Sequence, residues 1–141
     1  MSRIFLDTNF LVYTYDEGSP LKQRRARELL AQLKRTPADV MIISTQVFQE
    51  LYNNLTKKMQ ESPTQAKEKL LEWTEADIVG ISRTIVLAAA DLHASATISF
   101  WDALIVAAAQ SAGCDELWTE DLQDGRSFGV LKVRNPFADM A

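Results

Sequence analysis

Short apolar runs alternate along the chain with stretches of helical spacing, and polar caps separate them. Ile4, Phe5 and Leu6 form the first run, which ends at Asp7-Thr8-Asn9, a strand end or helix cap. Ser19-Pro20 opens a helix, with Pro at its first position and Ala26, Leu29, Leu30 and Leu33 on one face. Met41, Ile42 and Ile43 predict a second strand, after which Ser44 caps a helix carrying Val47, Phe48, Leu51 and Leu55. Ser62-Pro63 breaks that helix, and residues 66–73 read as another. Ile78, Val79 and Ile81 predict a third strand, weakened by Gly80. Helices follow over 83–94 and 99–112, the latter stopped by Gly113. Residues 117–119 and 130–133 complete the strands, with Pro136 closing the last. Such alternation predicts an α/β fold: a single domain over residues 1–141, with a central, mostly parallel sheet of four to five strands flanked by helices.

Composition narrows the chemistry. At 141 residues, 47% hydrophobic and 24% charged, the chain is globular rather than disordered. Its longest apolar run, Ala103 to Ala109, is seven residues, far short of the ~20 that cross a bilayer, so no membrane association is expected. The opening apolar stretch stops at Asp7, unlike a signal peptide, and Cys114 stands alone; the expected location is the cytoplasm. With one cysteine and one histidine, His93, sulfur- and imidazole-rich metal sites are excluded, and any metal must be held by oxygen. A net charge of −4 argues against coating nucleic acid by bulk electrostatics. Local basic surface remains available in Arg24, Arg25 and Arg27 with Lys22, Lys34 and Arg35 nearby, and in Lys57 and Lys58, although each group alone reads as a solvated helix face.

The placement of the acids is more informative than their number. Asp7 follows the first strand, Glu50 sits in the helix after the second, Asp102 lies in the first turn of an apolar helix, and Asp121 follows the fourth strand. Ligands of open α/β sheets bind beyond the carboxyl ends of the strands, where Asp7 and Asp121 must project. Each acid also has a structural reading. Asp7 caps a turn, Glu50 edges an amphipathic helix, and Asp121 belongs to an acidic loop with Glu120 and Asp124, where the Asp124-Gly125 turn aims either aspartate inward. Ser99-Phe100-Trp101-Asp102 has capping-box spacing, in which the Asp102 carboxylate turns back to the Ser99 N–H. Carboxylates gathered without histidine or thiolate suit Mg²⁺ or Mn²⁺, and such ions act on phosphates by activating water and offsetting charge on the leaving oxygen.

The segments 5–13 (FLDTNFLVY), 43–51 (ISTQVFQEL), 99–105 (SFWDALI) and 117–121 (LWTED) resemble, in order and across the chain, the PIN-domain family of metal-dependent ribonucleases, and within it the toxin half of VapBC-type toxin–antitoxin pairs. The resemblance maps the family's four acids onto Asp7, Glu50, Asp102 and Asp121, with Thr119 as the supporting hydroxyl and Asn9 as a further supporting residue. It implies a Mg²⁺- or Mn²⁺-dependent endoribonuclease, a homodimer, RNA as substrate, and a cognate antitoxin whose C-terminal segment blocks the active groove. The arginine-rich helix or Lys57 and Lys58 would then supply positive surface for RNA.

Three other kinds of protein make different demands on these positions. A phospho-receiver domain requires paired acids after strand one and an acceptor aspartate after strand three, and neither is present. A haloacid-dehalogenase phosphatase requires an aspartate where Asn9 stands. A PIN-like protein that binds RNA or a partner without cutting has the same residues as an active nuclease. His93 is expected to be structural or at the surface, Cys114 buried, and Trp73, Trp101 and Trp118 to serve core or interface packing.

Overall fold

The computed structural model describes residues 2–140, so the ends of the expected 1–141 domain lie outside the described residues. Six strands form one sheet: β1 (Arg3–Leu6), β2 (Val40–Ser44), β3 (Asp77–Val79), β4 (Glu116–Trp118), β5 (Ser127–Phe128) and β6 (Leu131–Arg134). Their order is β3-β2-β1-β4-β6-β5, and every pairing is parallel except β5 with β6. The helices are α1 (Thr8–Tyr13), α2 (Pro20–Arg35), α3 (Thr45–Lys57), α4 (Pro63–Glu72), α5 (Arg83–Ser95) and α6 (Phe100–Ser111).

The chain steps outward from β1 to β2 and β3, then returns to place β4 on the other side of β1. Right-handed crossovers put the helices of the outward and returning connections on opposite faces. The contacts agree: α1 packs on α2 and α3, α3 on α4, and α5 on α6. The strand order reverses between β1 and β4, and Asp7 and residues 119–121 emerge at their carboxyl ends, the place where open α/β sheets bind ligands.

Phe5, Leu6, Ile42, Ile43 and Leu117 are fully buried in the sheet, and Val47, Leu51 and Leu55 on α3 pack against it. Helix α6 is buried from Ala103 through Ala109, which explains its lack of a polar face. Helix α5 covers it through Ile85 and Ala89.

The sequence-based expectations differ at several boundaries. The sheet has six strands rather than four to five, because β5 is two residues long and carries no alternating pattern. The last strand begins at Leu131, not 130. Gly129 (φ 63°) and Val130 form the tight turn between β5 and β6, leaving Val130 91% exposed. The third strand ends at Val79, and Ile81 instead donates its N–H to Thr45 Oγ1 at 3.1 Å. Helix α3 ends at Lys57, before Ser62 is reached, and Ser62 instead opens α4 through a reciprocal capping box with Gln65, so that helix starts at Pro63 rather than 66. The segment after Asp7 forms a helix, α1, which is too short for its spacing to announce it.

Candidate active site

Asp7 caps α1 as β1 ends. It is 6% exposed, its Oδ1 accepts from Thr8 N–H at 2.7 Å, and its Oδ2 accepts from Thr119 Oγ1 at 2.6 Å. The Asp7 N–H donates to Trp118 C=O at 3.1 Å, continuing the β1–β4 pairing one residue past the end of β1. Two other side chains join the same network. Thr8 Oγ1 donates to Glu50 Oε1 at 2.8 Å, bringing α3 to the end of β1, and Asn9 Nδ2 reaches Asp121 Oδ2 at 3.4 Å. The Thr119 hydroxyl also accepts from Asp121 N–H at 3.1 Å, so one threonine orients two acids.

Burial pushes the Asp7 carboxyl up to about 7. The Thr119 and Thr8 hydrogen bonds oppose that rise, while the charges of Asp121 and Glu50 add to it. Asp102 is half-buried; its carboxyl is raised by burial and by Asp121, while Ser99 lowers it. Asp7 thus feels the charges of Asp121 and Glu50, and Asp102 that of Asp121.

Only half of the expected capping box forms at α6. Ser99 Oγ accepts from Asp102 N–H at 3.1 Å, but among the described residues the Asp102 carboxylate makes no return bond to Ser99 N–H. That leaves the carboxylate at the positive end of a buried helix, which favours its ionised form. Ser99→Ala should lower unfolding stability by about 1 kcal/mol, whereas Ser99→Gly should cost only a few tenths, measured by urea denaturation. Gln46 Nε2 donates to Trp101 C=O at 3.4 Å and ties the starts of α3 and α6 together.

The crowded acidic loop sorts itself by partners outside it. Glu120 accepts from Lys22 Nζ at 2.8 Å and from Tyr13 Oη at 2.5 Å, and Asp124 Oδ1 accepts from Asn135 N–H at 2.8 Å. Asp121 alone of the three faces Asn9 and the other acids. Thr8, Lys22 and Tyr13 were not singled out from sequence as parts of this site. The local signal for Thr8 is its place beside the cap residue, but the roles of Lys22 and Tyr13 depend on contacts distant in sequence.

The donors fit a hard divalent ion in kind: carboxylate oxygens supported by hydroxyls, with no thiolate or imidazole among them. Among the described residues, no three acidic, histidine or cysteine side chains are gathered closely enough to enclose an ion.

The basic residues divide by use. Arg25 Nε donates to Pro136 C=O at 3.1 Å and Arg27 Nε to Thr14 C=O at 2.9 Å, so both brace backbone, while Arg24 is exposed. Lys57 and Lys58 are exposed at the far end of α3, about 10 Å along the helix from Glu50. His93 is exposed with Nδ1 2.8 Å from Ile98 C=O, and Cys114 is buried, as expected. Trp73 and Trp118 are buried, but Trp101 is 64% exposed and is not a core residue.

A PIN-domain family model matches residues 4–123, a span that contains all four acids. The chain belongs to the PIN-domain family. No curated protein matches it in sequence. Among solved structures, this PIN domain is similar to a toxin–antitoxin complex from Klebsiella pneumoniae at 23% identity and a TM-score of 0.69, covering 94% of this chain and 97% of that one. It is also similar to VapC20 of Mycobacterium tuberculosis, a sarcin–ricin loop cleaving toxin, at 21% identity and a TM-score of 0.66, covering 84% and 89%. A DNA-bound VapBC from Salmonella typhimurium matches at 16% identity and a TM-score of 0.68, covering 96% and 99%. At these identities the likeness establishes a shared PIN fold. None of the helices among the described residues is long and apolar enough to cross a membrane.

Proposed function

We propose that this PIN domain is a Mg²⁺- or Mn²⁺-dependent endoribonuclease of the VapC toxin type, held inactive by a cognate antitoxin. The observation that carries the reading is the hydrogen-bonded set at the carboxyl ends of β1 and β4, in which Thr8, Asn9 and Thr119 join Asp7, Glu50 and Asp121, with Asp102 at the start of α6 within reach of the charge of Asp121. The structural neighbours that are toxins or toxin–antitoxin complexes support the choice within the family.

Asp7 and Asp102 would be the principal ligands, with Glu50 and Asp121 completing the shell. The ion, when bound, supplies positive charge to a phosphate oxygen and acidity to a bound water. The chain's own groups set the conditions for this. Thr119 and the Thr8 N–H hold both oxygens of Asp7 in place, Thr8 Oγ1 aims Glu50, and Asn9 with Thr119 orients the segment bearing Asp121. Glu50, whose Oε1 is held by Thr8 Oγ1, would help hold the ion or position the attacking water. Arg24, Lys57 and Lys58 offer exposed positive charge for RNA flanking the acidic site, while Arg25 and Arg27 contribute mainly to its frame. The homodimer is carried over from the family resemblance.

Single-stranded RNA incubated with the protein should be cut internally in Mg²⁺ and left intact in EDTA, and Asp102→Asn should remove the cutting without altering the circular dichroism spectrum. Cleavage that persists in EDTA, or undiminished cleavage by Asp102→Asn, sinks the assignment. RNA binding with no cutting in any divalent ion would favour a PIN-like binding protein.

A further inference from the structure

Trp101 is the one tryptophan among the described residues whose ring faces solvent. Trp73 and Trp118 are 5% and 8% exposed, and each has its indole N–H bonded, to Tyr15 Oη and Glu116 Oε1, both at 2.9 Å. Trp101 is 64% exposed, and its indole N–H meets no acceptor among the described residues. The buried pair are thus structural, but nothing in the fold accounts for the third.

Its position is fixed despite that exposure. It occupies the first turn of α6, whose N-terminus Ser99 caps, and its carbonyl accepts from Gln46 on α3. Its ring lies edge-to-face with Phe100 at 5.5 Å between centroids, and Phe100 in turn stands edge-to-face with His93 at 6.4 Å. A surface indole held this way loses little freedom on binding and presents a flat apolar face ready to stack.

The neighbour that decides the ligand is Asp102. Successive residues of a helix point about 100° apart, so Trp101 flanks the acid without sharing its direction. A strand bound with a phosphate at Asp102 has its neighbouring nucleotides within reach of the adjacent Trp101 side chain. A neutral π-face can approach this anionic site without the repulsion that a further phosphate would meet, and any of the four bases supplies one.

We propose that Trp101 is a substrate-positioning platform on which a base next to the scissile phosphate of single-stranded RNA stacks; the assignment rests on the ribonuclease reading above. Stacking contributes to binding of ground and transition states alike, so its loss falls on KM rather than on kcat.

The test uses single-stranded RNA with the full chain. Trp101→Ala should raise KM roughly 5- to 100-fold with kcat within about twofold, and Trp101→Phe should recover most of the loss, because a benzene ring also stacks. In EDTA, RNA binding should quench the tryptophan emission of the wild-type protein, and Trp101→Phe should remove that quenching while still binding. An unchanged KM in Trp101→Ala, or quenching that survives in Trp101→Phe, overturns the proposal. So does a change of oligomeric state in Trp101→Ala by sedimentation, which would make the ring a protein contact. If the wild-type chain cuts no RNA, the ribonuclease reading fails separately, and the fluorescence comparison alone decides whether Trp101 stacks on RNA.

Discussion

Asp7→Asn is expected to abolish RNA cleavage and, in the same molecule, to raise the stability of the metal-free protein above pH 7. Both effects follow from one buried carboxylate. Partners that merely orient a metal ligand typically matter by about 10- to 100-fold, so loss of a principal ligand should exceed that. The geometry survives the change: an Asn carbonyl can still accept from Thr8 N–H, and its amide can donate to the rotatable Thr119 hydroxyl. What disappears is the charge. Burial and the anions of Asp121 and Glu50 lift the Asp7 carboxyl from 3.8 to about 7, an upper limit on the order of 4 kcal/mol of disfavoured ionisation at high pH. Urea denaturation in EDTA near pH 8, set beside a cleavage assay in Mg²⁺, measures both consequences. A variant that cleaves normally, or that is less stable than wild type under these conditions, contradicts the role given to Asp7.

The candidate acids could be picked out from the sequence because most fall at ends of elements. Asp7 closes an apolar run and Asp102 follows a serine cap, and each of those boundaries is written in local residue order. The register that brings the elements together was not written locally. Thr8 and Glu50 meet across 42 positions, and Thr119 and Asp7 across 112, so their hydrogen bonds exist only once β1 lies between β2 and β4. The acidic loop shows the limit most plainly. Residues 120–124 offer three acids in nearly identical surroundings, and the choice among them is made by Lys22, Asn135 and Asn9, each from another part of the chain. Trp101, expected in the core or at an interface, is excluded from the core by its exposure, and its sequence surroundings could not show that. Apolar residues fill the helix after it, and hydrophobicity alone cannot distinguish a ring turned into the core from one turned out at the first turn. The fold class came through because strand and helix periods alternate over the whole chain, while β5 and α1 were too short to show a period at all.

The same carboxyl predicts how stability should vary with pH. Asp7 has a pKa of 3.8 in the unfolded chain and about 7 in the folded one, so between those values the folded state keeps a proton that the unfolded state has released. Stability rises with pH only where the unfolded state binds more protons; here the folded state binds more, and the slope is negative. The contribution is therefore fully present below about pH 4, declines as pH rises, and is gone once pH passes the folded value near 7. Asp102, also raised, acts in the same direction. Metal-free protein should accordingly have a higher urea midpoint near pH 5 than near pH 8, and Asp7→Asn should flatten most of that difference. Mg²⁺ should reverse the trend, because it binds the ionised carboxylates and stabilises the folded state by mass action, more strongly at the higher pH. If the metal-free midpoint instead climbs from pH 5 to pH 8, Asp7 is ionised in the folded protein at low cost. The site would then have no electrostatic debt for a cation to relieve.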